Sequence, residues 1–300
     1  MKTLNTLLAG FLFLAAFPVH AQLRVFACEP EWAALAQELG GDKVSAFSAT
    51  TPRQDPHHIE ARPSLIARLR QADLLVCTGA ELEAGWLPIL LRQAGNGKVQ
   101  PGQAGYFEAA SVVERLEIPT VLDRSLGDIH AGGNPHIHTD PRRIAVVADK
   151  LGERLAIVDP ANAGYYDERR QAFAQRWRRA IEEWSKRAAP LKGLRAVAHH
   201  RDWIYLYDWL GIRDAGTLEA KPGIPPSAAH LAALKAALTR EPARVVIRTP
   251  YQDPRPSEWI AREAALRAVV LPYTVGGTPG AKDLYTLFDE TIRLLLEAPA

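Results

Sequence analysis

Two hydrophobic periods alternate along the chain. Short apolar runs bounded by turn residues, LRVFACEP at 23–30, KVSAFSATT at 43–51 and ADLLVCTGA at 72–80, read as strands. Between and after them EWAALAQELGG (31–41), RPSLIARLRQ (62–71) and GWLPILLRQAG (85–95) carry apolar residues at helical spacing. Glycines close the first of these helices and Pro63 opens the second. The same rhythm returns near the C-terminus. LRAVAHH (194–200), ARVVIRT (243–249) and AVVLPY (268–273) read as strands. WIYLYDWLGI (203–212), HLAALKAALTR (230–240), PSEWIAREAALR (256–267) and LYTLFDETIRLLLEA (284–298) read as helices. Strands alternating with helices predict βαβ units, hence an α/β fold with a parallel sheet in each half.

Between the halves, residues 161–191 carry a helical pattern over roughly 28 positions, long for a globular helix. Tyr165, Phe173, Trp177, Ile181 and Trp184 fall near one face of it. Such a helix is a natural rigid spine between two lobes. At the other extreme, residues 1–21 combine Lys2, an apolar run from Leu7 to Phe17 and a closing Val19-His20-Ala21. That is the pattern of a secretory signal cleaved after Ala21, since a run of about 11 apolar residues falls short of the ~20 that span a bilayer. The expected organisation is a signal peptide at 1–21, an N-terminal lobe at 22–160, a linking helix at 161–190 and a C-terminal lobe at 191–300.

A formal net charge of +2 gives no general attraction to nucleic acid or anionic membrane. The basic stretch at 167–187 is interleaved with Glu168, Glu182 and Glu183, as on a solvated helix face. Cys28 and Cys77 each end a predicted strand. They could form a disulfide in an oxidising compartment or stay as two buried thiols, and the sequence leaves both open. Met1 is the only methionine, so no thioether copper site is available.

The histidines change the picture. Seven of nine fall in three short segments: His57 and His58 in QDPHHIE, His130, His136 and His138 in DIHAGGNPHIHTDP, and His199 and His200 in VAHHRDW. The second stretch is rich in Gly, Pro, Asn and Asp and must be a loop. Each segment comes at or after the C-terminal end of a predicted strand or in such a loop, the edge where open α/β sheets bind ligands. Imidazoles from three separate loops suit a metal site, and tetrahedral zinc asks for four ligands. Pro56 and Pro135 stiffen the loops ahead of His57 and His136. Adjacent histidine side chains point apart, so each segment should offer one ligand and one residue that supports it.

Taken together, DPHHIEARPSLIARLRQADLLVCTGAELE, GNPHIHTDPRRIAVVADKL and VAHHRDWIYLYDWLGI resemble the metal-binding periplasmic proteins of zinc and manganese ABC importers, over nearly all of the chain beyond the leader. The resemblance implies two lobes of parallel sheet and helices joined by one long helix, with the metal in the cleft. It implies His57, His136 and His200 as ligands, with His58, His138 and His199 as supporting or structural residues. Histidine as the third ligand implies Zn²⁺, with Mn²⁺ or Fe²⁺ ranked behind it. Many members carry an aspartate before the last helix, where this chain has Tyr273. The fourth position is therefore open to water, Asp283 or Glu60, in that order, with His130 as an outside candidate. The acidic, His-rich loop found in many zinc members is absent from residues 108–129.

The implied function is that of a periplasmic, monomeric substrate-binding component. It would hold a divalent cation and deliver it to a membrane permease driven by a cytoplasmic ATPase, with no nucleic-acid partner and no chemistry on a substrate. Metal binding should weaken as the histidines protonate, near ~6.5 or below. Two other classes fit some of the same residues. One is a binder of a chelated or organic ligand, lined by Trp203, Tyr205 and Tyr207. The other is a zinc hydrolase with water on an open position, against which stand the lack of an HExxH helix and of a base other than Glu60.

Overall fold

The computed structural model describes residues 22–120, 127 and 130–298. The leader and its cleavage point lie outside the described residues. The first half forms a parallel four-stranded sheet from β1 (Leu23–Ala27), β2 (Val44–Ser48), β3 (Leu74–Cys77) and β4 (Tyr106–Glu108), in the order β2-β1-β3-β4. The second half repeats it with β5 (Arg195–Ala198), β6 (Arg213–Thr217), β7 (Val245–Arg248) and β8 (Arg267–Val270), in the order β6-β5-β7-β8. In each sheet the chain starts in the middle and reverses direction across it. Two neighbouring strands therefore send their following loops apart, and a crevice opens at their C-terminal ends.

Helices α1 (Pro30–Gly40), α2 (Pro63–Arg70) and α3 (Leu87–Ala94) cover the first sheet. Helices α6 (Ile204–Leu210), α7 (Ala228–Arg240) and α8 (Pro254–Glu263) belong to the second, and α9 (Leu284–Leu296) closes the described chain. Two short strands, β4 and β6, and helix α4 (Pro141–Val158) go beyond the elements read from sequence. YFE and RDAGT carry too few apolar residues to signal a strand; pairing with β3 and β5 makes them strands. Helix α4 is capped by Asp140, whose side chain accepts from the Arg142 amide, and has Pro141 at its first position.

The long helix α5 (Ala163–Arg187) runs 25 residues, near the length expected. Its buried face is Tyr166, Phe173, Trp177 and Trp184, while Tyr165 and Ile181 are only half-buried. The spacing of seven, four and seven keeps those four on one stripe against α4 and α9. Trp177 packs on Phe173, Trp184, Tyr285 and Phe288, and its indole N–H donates to the Pro141 carbonyl at 2.8 Å. That bond ties the start of α4, and with it the loop of His136, to the spine.

Cys28 and Cys77, at the ends of β1 and β3, form a disulfide. Trp203, Tyr205 and Tyr207 are buried at 2%, 0% and 5% exposure, so they belong to the core rather than to the wall of a ligand pocket. No helix among the described residues is long and apolar enough to cross a membrane.

Candidate metal centre

Three loops bring His57, His136 and His200 together. Each offers a ring nitrogen, and the three nitrogens lie within 4.8 Å of one another. The ring centroids are 5.4 to 5.5 Å apart. His57 and His136 come from the half that holds the first sheet, and His200 follows β5 of the second, so the cluster spans the crevice between them.

Each loop has a local reason for its shape. The His57 loop is pinned by the Trp86 indole, which donates to the Pro56 carbonyl at 2.8 Å. The His136 loop needs Gly133 at φ +93, where a Cβ would stand 2.9 Å from the Leu116 carbonyl oxygen. Asn134 then donates to the Arg201 carbonyl at 2.9 Å, and its own carbonyl accepts from the Tyr205 hydroxyl at 2.5 Å, stitching the two histidine loops together.

One nitrogen of each ring is already held. His57 Nδ1 lies 2.7 Å from an Asp55 oxygen, His136 Nδ1 2.6 Å from the Tyr273 hydroxyl, and His200 Nδ1 2.7 Å from a Glu219 oxygen. This leaves Nε2 of each ring for a ligand, the arrangement by which outer oxygens orient metal-bound imidazoles. His57 Nε2 is buried without a hydrogen-bond partner. Tyr273, standing where an aspartate was expected from the resemblance, thus touches His136 rather than the centre of the cluster.

Electrostatics set His136 and His200 apart. Burial, helped by the neighbouring imidazoles, pushes His136 well below its ordinary pKa. Burial acts the same way on His200, but Asp202 and Glu219 outweigh it and raise that ring to about 9. Asp55 is opposed by its own burial yet held below the usual carboxylate range by His57.

The other histidines take different places. His138 is buried with Nε2 3.0 Å from the Tyr273 carbonyl oxygen and Nδ1 3.4 Å from Glu31, turned away from the cluster. His58 is exposed, and His199 is buried with Nε2 3.9 Å from Glu219. His130 stands beside the cluster, its ring 5.4 Å from that of His57 and its pKa lowered to about 4 by burial and by His57 and His200. Of the oxygen candidates, Asp283 caps α9, accepting from the Thr286 amide at 2.7 Å, and Glu60 is exposed. Neither belongs to the cluster.

Four oxygens around it escaped the sequence reading as site residues. Asp55 sits two positions before His57 and Asp202 two after His200, and those spacings were the available signal. Glu219 follows β6, a strand the sequence did not show, and Tyr273 carries no motif of its own. Cys28, Cys77 and Glu83 also gather within 4.8 Å, but the two sulfurs are bonded to each other and offer no thiolate.

The profile of the zinc-uptake complex component A periplasmic family matches residues 25–298, almost the whole described chain. The chain belongs to this family. It is therefore a metal-binding substrate-binding protein of the ABC-importer type. A high-affinity zinc uptake system protein ZnuA from Paracoccus denitrificans is 26% identical over 92% of this chain and 92% of its own length. A manganese ABC transporter substrate-binding lipoprotein PsaA from Streptococcus anginosus is 25% identical over 59% of this chain and 58% of its own. Among solved structures, a crystal structure of ZnuA superposes with a TM-score of 0.77 at 21% identity, covering 93% of this chain and all of that one. A cadmium-bound periplasmic metal-binding protein from Candidatus Liberibacter asiaticus superposes at 0.74 and 13% identity, covering 92% and 99%. Both share the two-lobe α/β fold.

Proposed function

We propose that this family member captures one Zn²⁺ ion between its lobes on His57, His136 and His200, and hands it to a membrane permease driven by a cytoplasmic ATPase. The observation that carries the reading is the triad itself: three imidazoles from three loops, each with Nδ1 held by an oxygen and Nε2 left for a ligand. Nitrogen donors favour zinc over manganese, which prefers oxygen-rich spheres. Small cavities of about 300 and 240 Å³ flank the cluster, one lined by His130, His136 and His200, the other by His57, His58 and His200, and offer the ion a way in. His58, His130, His138 and His199 act as neighbours of the centre. The lobes span 22–160 and 191–300, linked by 161–190, and the protein works as an exported periplasmic monomer that binds rather than catalyses.

Metal content and competition titration of the mature chain, beside His136→Ala, test this. One tightly held zinc per chain that is lost in the variant is the expected result. A wild type that takes no zinc, or a variant that binds it equally well, would refute the assignment. Manganese preferred over zinc in the same titration would retain the centre and change its cargo.

A further inference from the structure

We propose that Asp202 is the fourth ligand of this centre, so that the cation is held by three imidazole nitrogens and one carboxylate oxygen. The inference rests on the metal-binding reading above and names a donor that reading leaves open.

Asp202 has no exposed surface. Its Oδ2 accepts from the Gln252 side chain at 2.9 Å. Its Oδ1 is buried with no hydrogen-bond donor and lies 3.8 Å from His136 Nε2, the nitrogen that Tyr273 leaves free. That separation is too long for a hydrogen bond. A buried carboxylate oxygen without a donor is costly and calls for an explanation. Glu29 Oε1 and Glu31 Oε1 share that condition, but of the three it is Asp202 Oδ1 that faces the free nitrogen of a triad ring. Bonds of about 2.0–2.1 Å place the donors of a tetrahedral zinc ~3.3 Å apart. The gap between Oδ1 and His136 Nε2 is thus about half an ångström wider than a loaded site requires, and Asp202 stands outside the 4.8 Å grouping of the three rings, so the carboxylate must turn inward when the ion binds.

Elimination points the same way. The Tyr273 hydroxyl is engaged by His136, Asp283 is engaged at the start of α9, and Glu60 is exposed. His130 also has a buried Nε2 without a partner. Four neutral imidazoles would leave the full double charge of the ion in the crevice and Asp202 still unanswered. Taking the carboxylate halves that charge and satisfies the orphaned oxygen in one step. It also places two ligands, His200 and Asp202, on one turn of chain after β5.

The test is competition titration with Zn²⁺ on Asp202→Asn, with Glu219→Gln as a benchmark, joined to a crystal structure of the zinc-loaded wild type. Glu219 touches a ligand from outside, so its variant should lose 10- to 100-fold in affinity. Asp202→Asn should lose more than that, and the visible spectrum of its Co²⁺ complex should change in shape. In the loaded crystal Oδ1 should stand about 2.0–2.2 Å from the ion. An Asp202→Asn affinity and Co²⁺ spectrum like wild type would overturn the proposal. So would water or His130 in the fourth position with Asp202 beyond bonding distance, a result available even if the variant does not fold. Either outcome leaves a zinc-binding wild type and the His136→Ala result intact, so this failure is distinct from failure of the parent reading.

Discussion

Metal capture by this centre should release a proton at neutral pH, and His200 is its source. Burial alone would keep that ring neutral, but Asp202 and Glu219 hold its pKa up at about 9. At pH 7 the metal-free ring is then protonated in about 99 of 100 molecules, and a proton cannot share Nε2 with a metal. Two pH units of competition correspond to about 2.7 kcal/mol, or about a hundredfold in apparent affinity. Affinity should therefore rise nearly tenfold per unit between about pH 7 and 8.5 and level off above about 9. Ordinary imidazoles would begin to release the metal only near ~6.5 or below, and these carboxylates move the first step upward. The assay is zinc titration by calorimetry at pH 7.5 in buffers of different ionisation enthalpy, whose slope counts protons released. His200 should contribute close to one. A slope near zero, with an affinity flat from pH 7 to 8.5, would refute the reasoning. The same shift has a sign for the metal-free fold. A raised histidine adds stability that is fully present below about 6.5 and is lost as pH climbs through about 9.

Three other outcomes follow from the structure. Burial pushes the Glu83 carboxyl up to about 7, with Glu29 and the Thr78 and Gly79 amides countering it only in part; a raised acid makes stability fall as pH climbs from ~4.5 through 7, and Glu83→Gln, whose side chain cannot ionise but can accept only one of those two amides, should flatten that fall in urea unfolding whatever its absolute stability. Replacing both Cys28 and Cys77 by alanine opens a closure of 49 residues, and should cost about 4 kcal/mol in the same assay, with zinc still bound. His58→Ala should change zinc affinity by less than about threefold in competition titration, because its exposed ring lies outside the triad; a loss like that of His136→Ala would move the ligand role from His57 to its neighbour.

Local pattern was enough for much of the architecture. Period-two and period-3.6 stretches located six of the eight described strands and eight of the nine helices, because apolar spacing and Gly or Pro at the ends act within a few residues. Proline and glycine around His57 and His136 marked both as loop residues for the same reason. The missing pieces were those whose stability comes from a distant partner. YFE and RDAGT are strands only because β3 and β5 stand beside them, and Tyr166 rather than Tyr165 faces the core because α4 and α9 decide which side of α5 is covered. The centre divides along the same line. That three histidine segments would meet could be argued from strand ends, but which nitrogen each ring presents could not. That choice belongs to Asp55, Tyr273 and Glu219, two of them far away in the chain and all brought within 2.7 Å by the fold. Hydrophobic period is written residue by residue, whereas the orientation of an imidazole and the burial of the Asp202 charge depend on what the folded chain places next to them.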